Sequence, residues 1–318
     1  MSKHNFKPRR VALVGLTALA AALMGLKLYI DHHVRRAEAR YPPLGEFVTV
    51  EGVALHYVEG GSGPPVILIH GDGGSVYDWT MSVFERLSQN YHVIAFDRPG
   101  LGYSERPPNG ASPFVQARLL HSATEALGLK RPILVGHSRG GNIALAYALA
   151  YPEATAGLVT LAAAPYGGKV GLYSRALAVP IIGPLLAHTA FVPLGRAGVR
   201  AGLDAAFAPE ATAPADYVEV YAAYELRPRQ LLAHAADQVD GRAGTEQMAE
   251  RYGELRPPLV IVHGTADGNV PVEQARRLHR AAPHSMLIEI PGAGHEVMFL
   301  HSDVVEESVR RLVNGADG

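Results

Sequence analysis

The sequence predicts an α/β protein with a mostly parallel central sheet flanked by helices, an inserted helical lid, and an N-terminal transmembrane helix in front. Three observations carry this. Apolar β-type runs alternate with helical segments from residue 47 onward, which implies parallel strands joined by helical crossovers. Runs such as "PILVG", "LVTLAA" and "LVIVHG" are continuous in Val, Ile and Leu, the pattern of strands covered on both faces. Finally, "VALVGLTALAAALMGLKLYI", Val11 to Ile30, is an unbroken apolar stretch of the length that crosses hydrocarbon as a helix.

Taken in order, Lys3, Lys7, Arg9 and Arg10 precede the apolar run, and its single charge, Lys27, lies near enough to the end to snorkel. Ala18, Ala20 and Ala22 offer cleavage sites for the rival reading, a signal peptide removed on secretion. The run continues past them through Leu23, Met24 and Leu26, which favours an uncleaved single-pass anchor. Arg35, Arg36 and Arg40 partly balance the basic residues before the run. The expected topology has the N-terminus inside and the main body extracytoplasmic.

Residues 1–45 are thus anchor and linker, ending at Pro42-Pro43. Strands are expected at 47–50, 54–59, 66–70, 92–96, 132–136, 158–163, 259–264 and 286–290, with helices at 115–127, 141–150, 272–281 and 304–313. Ligands of such a sheet bind beyond the carboxyl ends of the strands. The alternation stops between 165 and 255, where the sequence is rich in Ala, Leu, Pro and Gly without a convincing strand. This interval is expected to be a lid between core parts at 46–164 and 256–318. Within it, Ala176 to Leu194 is apolar enough to suggest a second span, but Pro180, Pro184 and Pro193 interrupt it. An apolar lid facing a substrate channel, with Arg175, Arg196 and Arg200 towards the membrane, accounts for it better.

Composition narrows the function. The chain has 318 residues and a formal net charge of −1, so no broad basic field exists to attract nucleic acid. It contains no cysteine, which excludes disulfides, thiolate metal sites and a cysteine nucleophile. No feature fixes an oligomeric state.

The chemistry concentrates in "ILVGHSRGGNIALAYALA", where a buried strand turns sharply into a helix around Gly136-His137-Ser138-Arg139-Gly140. G-x-S-x-G in that context presents a serine on a crowded turn whose neighbours must be small. A serine hydroxyl needs a base, and His295 in "IPGAGHEVMFL" follows a strand at the same sheet edge. Asp267 in "LVIVHGTADGNVP" also sits just past a buried strand, where it can fix the imidazole tautomer. Singly, each residue is ordinary turn chemistry. Three of them in the order Ser, Asp, His, each after a core strand, point to a catalytic triad.

These motifs, with "HGDGGSVYDW" and "AFDRPGLGYSERP", resemble the α/β-hydrolase fold superfamily from about residue 47 to the C-terminus, and within it the lid-bearing esterases, perhydrolase-like enzymes, epoxide hydrolases and dehalogenases. The resemblance implies Ser138 as nucleophile, Asp267 as acid and His295 as base. Members that open epoxides or carbon–halogen bonds generally carry Asp at the nucleophile position, so Ser138 speaks against both activities. The backbone N–H groups of Asp72 and Arg139 would form the oxyanion hole. A carboxylate aimed at that spot would oppose it, so the Asp72 side chain is expected to point to solvent or a turn N–H, and Asp72→Asn to keep most activity. His70, Tyr77 and His137 are expected substrate contacts, with packing beneath the turn the equal alternative for Tyr77 and Trp79. The loop Asp97 to Ser104 is expected to be structural.

No cofactor or metal is implied. His295-Glu296 begins like a zinc-binding H-E-x-x-H helix, but Phe299 stands at the second histidine position, and "GDGGSV" lacks the spacing of a dinucleotide site. The expected activity is hydrolysis of a small or medium, largely apolar ester through an acyl-enzyme on Ser138. The alternatives are a cofactor-free perhydrolase or haloperoxidase-like enzyme, and a non-catalytic small-molecule binding protein on the same fold.

Overall fold

A computed structural model describes residues 7–316. Lys3 lies outside the described residues, as do the side chains of Lys7 and Arg9. Eight strands, β1 (Glu46–Val50), β2 (Val53–Gly60), β3 (Pro65–Ile69), β4 (His92–Phe96), β5 (Ile133–His137), β6 (Gly157–Leu161), β7 (Leu259–Gly264) and β8 (Met286–Ile290), form one sheet in the order β1-β2-β4-β3-β5-β6-β7-β8. β1 and β2 pair antiparallel, as do β2 and β4, and every later pair is parallel. The strands read as continuous apolar runs because both faces are covered. Ile67, Ile69 and Leu134 point into one core cluster, and Leu68, Val135 and Val159 into the other. At about 1.5–3 kcal/mol for each fully buried aliphatic side chain, these two layers hold the sheet in register.

Parallel β3, β5, β7 and β8 end at the same edge, so the residues that follow them, Asp72, Ser138, Asp267 and His295, emerge together. Close approach at this edge depends on glycine. A Cβ on Gly136 would collide with the Gly140 carbonyl, and one on Gly140 with the Ile69 and His70 carbonyls. The helix Arg139–Ala150 can therefore start directly against β3 and β5.

Between β6 and β7 the chain runs through helices Leu172–Leu177, Ile182–Ala187, Phe191–Phe207, Ala215–Glu225, Pro228–Val239 and Arg242–Ala249, with no strand. The expected interruptions take a specific form: Ile181, after Pro180, has φ 68°, while Pro184 and Pro193 fall in the first turns of their helices, where proline is tolerated. The stretch is thereby split into two helices of 6 residues and the first turn of one of 17, none of which offers the roughly 20 consecutive apolar residues of a span. This roof is fixed to the core by the fully buried pair of Arg98 Nη1 and Asp237 Oδ2 at 3.0 Å, and by the Gly102 N–H donating to Gln230 Oε1.

The first helix runs without a break from Lys7 to Arg40, about 51 Å at 1.5 Å per residue. Residues 31–40, read above as linker, continue it because they pack on the roof. Arg40 pairs with Glu219 at 2.6 Å and Arg227 with Glu38 at 3.6 Å. It is the one helix among the described residues long and apolar enough to cross a membrane by length and composition, which suits an anchor or a signal sequence equally.

Candidate active site

Ser138 follows the last residue of β5 and adopts φ 51°, ψ −118°, a backbone strain of about 1–3 kcal/mol for a non-glycine residue. The strain persists because the Ser138 N–H donates to the Leu161 carbonyl at 2.8 Å and the helix begins at the next residue. The turn after β3 comes close, since a Cβ on Gly71 would lie 3.1 Å from the Ser138 Cβ. Among the described residues, neither the Asp72 nor the Arg139 backbone N–H has a hydrogen-bond acceptor, leaving two donors beside the serine.

His295 Nδ1–H donates to Asp267 Oδ2 at 2.7 Å. Asp267 Oδ1 accepts the Asn269 and Val270 N–H groups, both at 2.8 Å, and His263 Nε2 lies 3.2 Å from Oδ2. Burial opposes the Asp267 charge, but hydrogen bonds from His263 and His295 hold the carboxyl well below the usual carboxylate range. His295 has the mirror situation. Burial disfavours the imidazolium, yet the hydrogen bond and charge of Asp267 raise its pKa above the ordinary 6.5. Ser138 and His295 line one cavity of about 1320 Å³, with Asp267 9% exposed behind the imidazole.

The other expected contacts divide. His137 is on the cavity wall, and its Nε2–H donates to the His295 carbonyl at 3.1 Å. Burial, then the neighbouring His295, push its pKa down to about 3, so it is neutral and braces the loop carrying the base. His70 and Tyr77 are not on the wall. His70 is fully buried, donating from Nδ1 to the Gly71 carbonyl at 2.9 Å and accepting the Arg98 N–H at Nε2, also at 2.9 Å. It pins the turn and is unavailable to substrate. Tyr77 packs edge-on against Tyr41 and Tyr224, and Trp79 is fully buried in the core. Asp97 is likewise interior, accepting from His56, Val76 and Tyr103.

The Asp72 carboxylate departs from expectation. It is 22% exposed and meets no turn N–H, but accepts from Arg139 Nε at 2.6 Å and from Arg98 Nη2 at 3.4 Å, with His234 Nε2 at 3.9 Å. Burial works against its charge, but Arg139, His234 and Arg98 together lower its pKa far below the ordinary value. The like-charge problem is thereby removed: the carboxylate is neutralised by the side chain of the residue that supplies the other free N–H.

Several wall residues lie outside the sequence-based expectation. His234 donates to Glu225 Oε1 at 2.6 Å, and Gln238 lies one turn further along the same helix. Asp78 accepts from the Tyr217 hydroxyl at 3.1 Å. The i, i+4 spacing of His234 and Gln238 is a visible signal, but a partner for either cannot be assigned without the packing of the roof. His137, His295 and Glu296 place ligand-type atoms within 4.8 Å of one another. His295 Nδ1 is committed to Asp267 and His137 Nε2 to a carbonyl, while His137 Nδ1 and Glu296 Oε2 have no partner among the described residues.

Residues 64–302 match the family model described as the alpha/beta hydrolase fold. The chain belongs to the α/β-hydrolase fold family. This α/β-hydrolase is 30% identical over 290 residues to a 2-hydroxymuconate semialdehyde hydrolase of Pseudomonas putida, covering 88% of this chain and 98% of the relative. Among solved structures, an alpha/beta hydrolase fold protein from Burkholderia ambifaria superposes with TM-score 0.72 at 23% identity, covering 84% of this chain and 97% of its own. A membrane phospholipase A, described as a bacterial virulence factor, superposes with TM-score 0.65 at 24% identity over 98% of this chain and 100% of its own. At these identities the structural matches speak to fold. Family membership and relatives that are hydrolases support hydrolase activity in this α/β-hydrolase.

Proposed function

We propose that this α/β-hydrolase is a serine esterase, held to a membrane by its N-terminal helix, which cleaves acyl esters through an acyl-enzyme on Ser138. The observation that carries the reading is the 2.7 Å bond between His295 and Asp267 on the same cavity as the strained Ser138. His295 takes the serine proton as Ser138 attacks the carbonyl, and Asp267 holds the tautomer and stabilises the imidazolium. The Asp72 and Arg139 N–H groups receive the developing oxyanion, each donor supplying about 3 kcal/mol. His295 then protonates the leaving alcohol, and water releases the acyl group by the reverse sequence.

The cavity favours a larger acyl group than the sequence suggests. Its volume of about 1320 Å³ exceeds the roughly 300–1,000 Å³ of common small-ligand pockets. Its lining includes a set of apolar side chains, Phe191, Val199, Leu203, Leu226 and Leu231. It also includes Asp72, Arg139, His234 and Gln238, suited to a polar end. A long acyl chain with a polar alcohol portion fits both, which makes phospholipids the first substrates to try.

The test is labelling with a fluorophosphonate, followed by a 4-nitrophenyl ester series of increasing acyl length on the wild type and Ser138→Ala. Labelling at Ser138, with turnover that rises with chain length and vanishes in Ser138→Ala, is expected. Tight ligand binding without labelling or turnover would overturn the reading in favour of a binding protein. Turnover of 2-hydroxymuconate semialdehyde with no ester hydrolysis would overturn the choice of ester.

A further inference from the structure

The roof exposes an unusual amount of apolar surface. Leu172, Ile181, Ile182, Leu185 and Leu194 are 84%, 85%, 52%, 52% and 63% exposed, all within 23 residues of the helical insertion. Scattered apolar residues on a soluble surface need no explanation, but a contiguous group does.

The first helix indicates what covers them. Its apolar part is bare, with Val11, Leu13, Val14, Leu16 and Leu19 each more than half exposed. At its far end Ile30 is fully buried. It joins Leu26 and Val34, one helical face at i, i±4, in a cluster with Leu186, Ala187 and Phe191 of the roof. Arg196 Nη1 and His33 Nδ1 stand 3.2 Å apart at the same level. Leu26 lies in the last turns of the 20-residue apolar run, which at 1.5 Å per residue is about 30 Å, one hydrocarbon thickness. Roof residues that touch Leu26 and Ile30 therefore sit where that run leaves the bilayer, and Ile181, Ile182 and Leu185 are one to six residues from Leu186 and Ala187. Tyr29, 46% exposed, occupies the level at which tyrosines gather at lipid headgroups. Exposed Arg35, Arg36 and Arg175 add positive charge there, which attracts anionic lipid.

From this we infer that the roof face centred on Ile181, Ile182 and Leu185 docks into the lipid surface beside the anchor, so that the cavity opens towards the bilayer. The cavity reaches that face. Leu194 and Tyr173 are both cavity lining and exposed, and Tyr173 stacks on Phe191 of the wall at 4.5 Å between ring centroids. An acyl chain could pass from the membrane to Ser138 along apolar side chains without crossing water. The inference rests on the reading of the first helix as a membrane anchor, and not on the esterase reading.

Because the chain has no cysteine, a single introduced thiol reports one position. Full-length Ile181→Cys and Leu185→Cys, with Glu153→Cys at the opposite end of the sheet as control, would carry an environment-sensitive fluorophore in vesicles of phosphatidylcholine and phosphatidylglycerol. The two roof labels are expected to shift to the blue and to be quenched by doxyl groups on the lipid chains but not by aqueous iodide, with the reverse at Glu153. Iodide quenching at all three sites would overturn the inference, as would failure of the full chain to enter vesicles. Roof labels shielded from both quenchers, with disulfide cross-linking between two chains of the unlabelled Leu185→Cys variant, would overturn it by assigning the face to a second copy instead. A functional arm uses the Ile181→Asp/Leu185→Asp double variant. It should lose about tenfold in hydrolysis of vesicle phospholipid, within the contribution of two apolar side chains to partitioning, while 4-nitrophenyl butyrate turnover is unchanged. If neither substrate is turned over, the esterase reading fails while the labels still decide the docking.

Discussion

On the floor of the cavity, Ser138, Asp267 and His295 follow strands β5, β7 and β8 by one, three and five residues. On the roof, Glu225, His234 and Gln238 project from helices that no sheet holds. The floor places polar atoms on rigid neighbours and fixes them with backbone N–H groups, as at Asp267. The roof balances charges against one another: His234 sits between Glu225 and Asp72. Chemistry is expected to reside in the first region, and stability with its pH dependence in the second.

Floor substitutions test that division with the largest effects. Ser138→Ala should lower kcat by about 10⁶-fold with the melting temperature unchanged or raised, because alanine removes only the hydroxyl. Asp267→Asn should cost about 10⁴-fold by releasing the imidazole tautomer. Its pH profile adds the sign. His295 must be neutral to accept a proton, so activity is lost as pH falls through its pKa. With that pKa raised above 6.5, the acidic limb of kcat/KM should have its midpoint above pH 6.5, and in Asp267→Asn the midpoint should move lower. An unmoved midpoint would sever His295 from Asp267.

Asp72 belongs to the floor by position and to the roof by its partners. A side chain turned to solvent, as the sequence suggests, would let Asp72→Asn keep most activity. The bonds to Arg139 and Arg98 change that. Losing the charge frees Arg139, whose N–H is one of the two proposed oxyanion donors, and displacement by about 1 Å near reacting atoms can cost a hundredfold. We expect about tenfold lower kcat for Asp72→Asn and about a hundredfold for Asp72→Ala, with KM little affected. Esterase assays that find full activity in both would show that Arg139 presents its N–H without help from the carboxylate.

The roof pair predicts a stability effect. His234 is raised to about 9, burial opposing its charge but Glu225 and Asp72 outweighing it. Its folded pKa exceeds the unfolded 6.5, so the folded state holds a proton that the unfolded state releases. The stabilisation is complete below pH 6.5 and is lost as pH rises to about 9. Melting temperature should fall across that window in the wild type and much less in His234→Gln.

The sequence can be read for the floor because each candidate residue there is tied to a local pattern. Continuous apolar strands, Gly136 and Gly140 around Ser138, and the turns carrying Asp267 and His295 are all short-range. The eight strands are legible for the same reason, since burial on both faces forces a composition that shows in a single sequence. What escapes such a reading depends on contacts distant along the chain. Nothing near Asp72 reveals that Arg98, Arg139 and His234 converge on it, because they come from 26, 67 and 162 residues later. His70 carries a familiar local signal and still lies off the cavity wall, because its partner, the Arg98 N–H, is set by the packing of β3 against β4. The continuation of the first helix to Arg40 is hidden likewise, its stabilising contacts lying in the roof.

The smallest predicted effect lies at the seam between the two regions. Asp78, from the floor, accepts the hydroxyl of Tyr217 from the roof, and burial, then the nearby Glu296, raise its pKa to about 8. A carboxyl raised from the unfolded 3.8 keeps its proton in the folded state and loses it on unfolding, so folding is weakened as pH climbs from about 4 towards 8. Asparagine has the same shape and no charge to suppress, and its carbonyl still accepts the tyrosine hydroxyl. Asp78→Asn should therefore gain stability at pH 7, by about 1 kcal/mol or a few degrees of melting temperature, and the gain should disappear at pH 4, where the carboxyl is protonated at little cost in either state. A loss of stability at pH 7 that is absent at pH 4 would mean that Asp78 is ionised in the folded protein, and that the seam, like the roof, is held by charge.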